Sequence, residues 1–331
     1  MKGQAFAVAR ANIALAKYWG KSDDRLNLPA VPSLSITLEP MRTETAIELD
    51  EALSEDLFEL DGRPALAEER QRVTELLDRV RAEAQVHARA RVRSQNHFPT
   101  ASGLASSASG FAALAAAARH AYGLRRDDAA ASALARRASA SAARSIFGGY
   151  VELAAGAPGD DALAARPLHD ASHWDLRVVV AVITEGRKDV GSRAGMGHSR
   201  QTSPYWRGWL ECAPQLFGTI RAAIAERDFE RLGPAVEQSF TTMHALAFTS
   251  SPSTMYFQPA SIAALGTLRA LRKDGVGAWP TMDAGPHVKA ICRAADAPAV
   301  AAALEKTPGV LRTLLAAPGP GVEVGDLPAG R

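Results

Sequence analysis

An α+β fold in two domains is what this sequence predicts, and three observations carry that expectation. The chain is 331 residues long, roughly two domains at about 150 residues each, so each half can bury a core without disulfide or metal staples. Strand-like alternation and helical apolar spacing are interleaved along the first half. The second half reads as three long amphipathic helices, then a return of short strands around one more helix.

Residues 5–15 carry small and β-branched apolar side chains and read as a strand, while 35–38 and 43–49 alternate like a half-buried hairpin. Apolar residues recur at helical spacing over 68–84, and 86–93 reads as a further strand. A Gly/Ser-rich loop, 97–110, opens an Ala-rich helix over 111–122 that Gly123 stops. Asp127 or Asp128 caps a helix to Arg137; residues 139–145 then lead through Gly148 and Gly149 into a strand over 150–153. The clearest buried strand is 175–184, and the domain division is placed just after it, giving 1–185 and 186–331. Helices are expected over 204–227, 229–247 and 261–273, strands over 276–282, 288–292 and 310–315, and a helix over 297–306. The Pro/Gly-rich end, 318–331, reads as a loose tail. Internal repeats and coiled-coil heptads are absent.

Composition excludes several classes. With 38 Lys and Arg against 36 Asp and Glu, a net charge of +2, 47% hydrophobic and 22% charged residues, the chain is neither disordered nor a dedicated polyanion binder. Its longest near-apolar runs, 111–118 and 178–183, fall short of the roughly 20 residues that cross a bilayer, and the N-terminus lacks a signal-peptide run, so the expected location is cytoplasmic, with no membrane partner. Cys212 and Cys292 make neither a disulfide framework nor a zinc site and read as small buried hydrophobes. Trp174, Trp206, Trp209 and Trp279 read as packing residues, Trp19 as a cleft residue; His173, His198 and His244 lack metal-ligand spacing.

The strongest chemical signal is Gly103 with Ser106 and Ser107. Backbone N–H groups at a helix start, with short hydroxyls, suit phosphate oxygens, although such serines also serve as plain helix caps. The loop matches neither Gly-x-x-x-x-Gly-Lys-[Ser/Thr] nor a dinucleotide fingerprint, so a different phosphate-binding architecture is required.

Asn12-Ile-Ala-Leu-Ala-Lys-Tyr-Trp-Gly-Lys21, followed by Leu26-Asn-Leu-Pro29 and Ser33-Leu-Ser-Ile-Thr-Leu38, resembles the N-terminal motif of the mevalonate diphosphate decarboxylases, members of the GHMP kinase superfamily. Phe98-Pro-Thr-Ala-Ser-Gly-Leu-Ala-Ser-Ser-Ala108 resembles that family's phosphate loop, and Ser139-Ala-Ser-Ala-Ala-Arg-Ser-Ile-Phe-Gly-Gly149 its substrate-carboxylate segment. Lys188-Asp-Val-Gly-Ser-Arg-Ala-Gly-Met196 is similar to its substrate-phosphate segment, and Met282-Asp-Ala-Gly-Pro286 to its catalytic turn. The agreement runs in order from position 12 to 286. Ala140, Ala143 and His287 depart from the Gly, Cys and Asn common there, and Ala30-Val-Pro replaces a more polar approach to Ser33; none removes a proposed catalytic group.

The resemblance implies a two-domain GHMP-kinase fold: a ribosomal-small-subunit-protein-like N-terminal domain, a ferredoxin-like C-terminal domain, and an active site in the cleft between them. It implies ATP-dependent decarboxylation of mevalonate 5-diphosphate to isopentenyl diphosphate, with ATP as co-substrate, Mg2+ bridging its phosphates, and a homodimer. Catalytic roles are implied for Asp283 as base and orienter, Lys17 as its partner and Arg144 as the carboxylate grip. Tyr18, Lys21, Arg72, Ser141, Ser192 and Arg193 are implied for the substrate diphosphate, and Gly103, Leu104, Ala105, Ser106 and Ser107 for the ATP phosphates; no protein ligand of the metal is assigned. Arg136 and Arg137 read as helix-surface residues.

Two rival readings remain. A related enzyme acting on mevalonate or its 5-phosphate, as 3-kinase or as decarboxylase, would keep the phosphate loop. A nucleic-acid module is suggested by Arg89, Arg91, Arg93, Arg125-Arg126 and Arg136-Arg137, but the interspersed acids and the near-zero net charge oppose it.

Overall fold

A computed structural model describes residues 3–98, 106–186 and 189–327. The chain runs β1 (Gln4–Ala16), β2 (Lys21–Asp23), β3 (Leu28–Pro29), β4 (Ser33–Asp50), β5 (Leu57–Leu60), β6 (Arg63–Pro64), α1 (Ala67–Ala84), β7 (Arg89–Asn96), α2 (Ser106–Ala121) and α3 (Asp128–Ala138). A 3-10 segment (Ala140–Ile146) leads to β8 (Tyr150–Leu153), β9 (Arg166–His169), β10 (Leu176–Val182), α4 (Ser192–Thr202), α5 (Trp206–Glu226), α6 (Phe229–Phe248) and α7 (Pro259–Lys273). Then come β11 (Ala278–Thr281), β12 (Val288–Arg293), α8 (Ala297–Glu305), β13 (Arg312–Pro318) and β14 (Glu323–Gly325).

Among the described residues, twelve strands form one connected sheet with the path β11-β12-β10-β13-β4-β7-β5-β6, while β1, β14, β8 and β9 branch from it and β2-β3 stand apart. The helix α2 is apolar nearly all round, with Ala112 to Ala118 buried, as expected of a helix covered on several sides. Its small side chains pack against Ala5, Ala7 and Ala9 of β1 and against α1 and α3 in one core. A second core joins β1, β4 and β10 to α5 and α6, and a third joins β10, β11 and β12 to α7 and α8.

Four expectations need correction. The hairpin over 35–49 is a single strand, β4: both of its halves pair antiparallel with β1, and the register shift between Arg10, opposite Arg42, and Ala11, opposite Leu38, absorbs residues 39–41 without reversing the chain. The tail is tied down to Asp326: β14 pairs with β1, Gly321 packs against Gly148, and the Val322 N–H bonds to Ile146 O at 3.0 Å. Arg136 is fully buried, because its guanidinium donates to the carbonyls of Leu26, Asp161 (2.7 Å) and Leu163 (2.8 Å); Arg137 keeps only 10% of its side-chain surface exposed. The polar, Gly-containing sequence of α4 predicts no element, since few apolar residues mark its period, yet residues Ser192–Thr202 are helical.

The strand β10 lies between β12 and β13, so the last strand ahead of the 185/186 division is hydrogen-bonded into elements of the second half. Asp127 does cap α3, accepting the Ala130 N–H at 2.9 Å. No helix is long and apolar enough to cross a membrane among the described residues.

Candidate active site

Period-two geometry builds the floor. On β4 the apolar Leu34, Ile36 and Leu38 join one core, which turns Ser33, Ser35 and Thr37 to the opposite face, where all three are fully buried. Buried hydroxyls need partners, and Arg144 supplies two of them: its Nε donates to Ser35 Oγ at 2.9 Å and its Nη1 to Ser33 Oγ at 2.6 Å. Asn12 Oδ1 accepts from Nη2 at 3.3 Å, and Asn12 Nδ2 holds Ser145 Oγ at 2.8 Å and Ser141 O at 3.0 Å. Neutral partners do not discharge the guanidinium, and burial pushes Arg144 down to about 10.

Lys17 follows the end of β1, its N–H bonded to Ser239 Oγ of α6 at 2.9 Å. Its ammonium donates to Ala14 O at 2.8 Å and to Asp283 Oδ1 at 2.6 Å. Asp283 sits on the turn after β11, which is fixed from three sides. The Gly285 N–H bonds to Asp283 O at 2.8 Å, Ser261 Oγ donates to Pro286 O at 2.7 Å, and His287 Nδ1 accepts the Ile183 N–H at 3.0 Å. The other carboxylate oxygen, Oδ2, accepts from Lys289 Nζ of β12 at 3.0 Å. Burial by itself would raise the Asp283 carboxyl, but Lys17 and Lys289 outweigh it and hold the group far below the usual carboxylate range. Burial pushes Lys17 the other way, down to about 8, against the pull of Asp283.

Lys17, Lys289 and Arg144 are each at most 2% exposed, and they face one carboxylate whose side chain keeps 25% of its surface open. This buried excess of positive charge is a site for anions. It underlies a cavity of about 1060 Å³ lined by both halves of the chain, from Asn12 to Arg144 and from Gly191 to Ala284. Around the wall stand Tyr18, Lys21, Arg72, Ser141, Ser192 and Arg193, with Trp19, Met196 and Met243 among its apolar members. Arg72 Nη2, at 2.7 Å, and Arg193 Nη2, at 3.3 Å, converge on one acceptor, Ala138 O. Burial, then the nearby Arg193, pushes Arg72 down to about 10, and its guanidinium lies 4.4 Å above the Phe111 ring. Burial followed by Arg193 also lowers Lys21, and burial raises the Tyr18 hydroxyl, which has no hydrogen-bond partner among the described residues. Two guanidinium groups on one carbonyl repel each other until an anion lies between them.

Every nominated residue that the structure describes therefore lines this one cavity, Ser106 and Ser107 included, at the start of α2. Gly103, Leu104, Ala105 and Lys188 lie outside the described residues. Asn12, Ser33, Ser35, Ser239, His244 and Lys289 join the site without a role predicted from sequence. A signal existed for two groups of them: alternating hydroxyls on a buried strand, and a lysine inside the apolar run Val288-Lys-Ala-Ile-Cys, which must find a counter-charge. The others come from distant elements. Among the described residues no group of three or more His, Cys, Asp or Glu is gathered to hold a metal.

Two family models match, one described as the diphosphomevalonate decarboxylase-like N-terminal domain, over residues 9–164, the other as the mevalonate 5-diphosphate decarboxylase C-terminal domain, over 178–313. The diphosphomevalonate decarboxylase of Saccharomyces cerevisiae is 33% identical over 303 residues, covering 86% of this chain and 76% of that protein. That of Homo sapiens is 35% identical over 302 residues, covering 84% and 74%. Among solved structures, mevalonate diphosphate decarboxylase from Staphylococcus aureus aligns with a TM-score of 0.93 at 35% identity over 98% of both chains. MDDEF in complex with MVAPP, AMPPCP and magnesium aligns with a TM-score of 0.91 at 38% identity, over 98% of this chain and 99% of that one. With both halves matched in order and a cationic cavity between them, the chain belongs to the diphosphomevalonate decarboxylase family.

Proposed function

We propose that this chain catalyses ATP-dependent decarboxylation of mevalonate 5-diphosphate in the mevalonate pathway of isoprenoid biosynthesis, yielding isopentenyl diphosphate, ADP, phosphate and carbon dioxide. The observation that carries the residue-level reading is Asp283, each carboxyl oxygen hydrogen-bonded to a lysine, beside a cavity walled by Lys21, Arg72 and Arg193.

A 3-hydroxy acid has no adjacent carbonyl to take up the electrons released as carbon dioxide leaves, and hydroxide is a poor leaving group. Phosphorylating the tertiary 3-hydroxyl cures the second fault. Asp283 accepts the hydroxyl hydrogen and aims the oxygen at the γ-phosphoryl group of ATP, and Lys17 steadies the charge on that group. As the 3-phosphate departs, C3 turns electron-poor and the C1–C2 bond electrons move in to form the alkene. Arg144 grips the C1 carboxylate, so loss of carbon dioxide is aligned with the departing phosphate. Lys21, Arg72, Arg193, Tyr18, Ser141 and Ser192 hold the 5-diphosphate, and the segment from Gly103 to Ser107 holds the ATP phosphates.

The described residues suit magnesium carried in with the nucleotide: no acidic cage is present, while the Ser106 and Ser107 hydroxyls, hard oxygen donors, line the cavity at the α2 start. When bound, the ion neutralises close phosphate charges. The active site is taken to lie in a cleft between a ribosomal-small-subunit-protein-like domain, 1–185, and a ferredoxin-like domain, 186–331. A cytoplasmic homodimer completes the reading.

The test is incubation of purified protein with ATP, magnesium and, separately, mevalonate, its monophosphate and its diphosphate. Equal ADP and carbon dioxide from the diphosphate alone is the expected result. ADP without gas would instead identify a 3-kinase.

A further inference from the structure

Lys289 is the second residue of β12, a strand hydrogen-bonded on both edges, to β10 and to β11. It is fully buried on a strand whose other buried residues are apolar, a place where an ammonium group survives only with a counter-charge. Its hydrogen-bond partner is Asp283 Oδ2, at 3.0 Å. Unlike Lys17, it does not line the cavity, so it reaches the reacting atoms only through Asp283.

We propose that Lys289 is a positioning residue for the reaction: its ammonium group fixes the second oxygen of Asp283, so that the carboxylate presents its remaining lone pairs to the substrate hydroxyl in one orientation. The inference rests on the reading of Asp283 given above. A carboxylate offers about four lone-pair sites, and Lys17 and Lys289 take one on each oxygen. What remains faces the open side of the group. Held this way, Asp283 orients the hydroxyl as it accepts its hydrogen. Phosphoryl transfer through a loose transition state asks for that, because catalysis there is mostly a matter of placing the nucleophile in line with the phosphoryl group. The groups facing Asp283 are Lys17 after β1, Lys289 on β12, His244 on α6 and Arg144 in the 3-10 segment. Burial holds His244 down to about 4, so its imidazole is neutral at pH 7 and adds no charge there.

The experiment compares wild type with Lys289→Met, Lys289→Gln and Lys289→Arg, measuring kcat, KM for mevalonate diphosphate and the pH profile, alongside carbon-13 NMR titration of the Asp283 carboxyl carbon, assigned with Asp283→Asn. In Lys289→Met we expect kcat to fall about ten- to a hundredfold, less than or comparable to loss of a donor in direct contact, with KM within about twofold. The Asp283 titration and the acid limb of the profile should move up by about one to three pH units, because an ammonium within hydrogen-bond distance has been removed. Lys289→Arg should recover part of both. If Lys289→Met does not fold, Lys289→Gln, which keeps a donor of similar length without charge, decides by the same readouts. A kcat and an Asp283 titration unchanged in the folded variant would overturn the proposal, as would equal losses in Lys289→Met and Lys289→Arg with no titration shift, the mark of a purely structural lysine. A wild-type protein that turns over none of the three acids would overturn the functional reading instead, and the NMR titration would still judge Lys289.

Discussion

Lys17 and Asp283, 266 positions apart in sequence, meet at 2.6 Å from Nζ to Oδ1. One follows the first strand and the other stands on a turn of the second half, so the pair exists only when both halves are folded and docked. Asp283→Asn keeps the shape and removes the charge. It should lower kcat about 100- to 10,000-fold while mevalonate diphosphate still binds, a split that steady-state kinetics and calorimetry resolve. Near-normal turnover would remove Asp283 from the centre of the mechanism.

Arg144 is held by Ser33, Ser35 and Asn12 through three separate nitrogens. A lysine cannot reproduce that fork. Arg144→Lys should therefore lose about 100-fold or more in kcat/KM, against roughly tenfold or less for Ser33→Ala, which leaves two of the three supports in place. Comparable losses in both would show that orientation by the serine matters as much as the guanidinium itself.

Acid should destabilise the fold in a window set by two histidines. Burial holds His244 down to about 4 and His287 down to about 3, against an ordinary 6.5. Below 6.5 the unfolded chain takes up protons that the folded chain refuses, so this part of the stability is complete above 6.5 and is lost as pH falls toward 4, at about 1.4 kcal/mol per pH unit for each histidine. Asp283, depressed in the fold, adds a loss in the same direction only below its ordinary 3.8. His287→Asn offers Ile183 another acceptor and should flatten the dependence of the urea midpoint between about pH 6.5 and about pH 5. A midpoint that stays flat in the wild type would contradict the assignment.

Arg136 holds the loop around Asp161 and Leu163 to Leu26 by donating to three carbonyls from a fully buried position. Arg136→Ala strips those carbonyls of their donor inside the fold. Denaturant unfolding should show a loss of about 2–4 kcal/mol. A surface arginine would change stability by less than about 0.5 kcal/mol.

Much of this protein was legible from its residues. The helices over Ala67–Ala84 and Asp128–Ala138 and the strand Tyr150–Leu153 follow from local periodicity, and the second helix also from its cap at Asp127, because these signals lie within or beside one element. The segments around Lys17, Arg144, Ser192 and Asp283 stand out by another route, their resemblance to the motifs of a known family. Sequence alone could not give β4 as one strand, because whether residues 39–41 turn the chain or bulge from it depends on the partner that both halves share, β1. Nor could it give the burial of Arg136, whose acceptors are carbonyls 25 to 110 positions away. The pairing of Lys289 with Asp283 is short in sequence but required β11 and β12 to lie antiparallel with the turn closed between them. Local chemistry selected the groups; the docking of two halves across one sheet decided which charges share a carboxylate, because that is a matter of distances between elements that no neighbouring residue encodes.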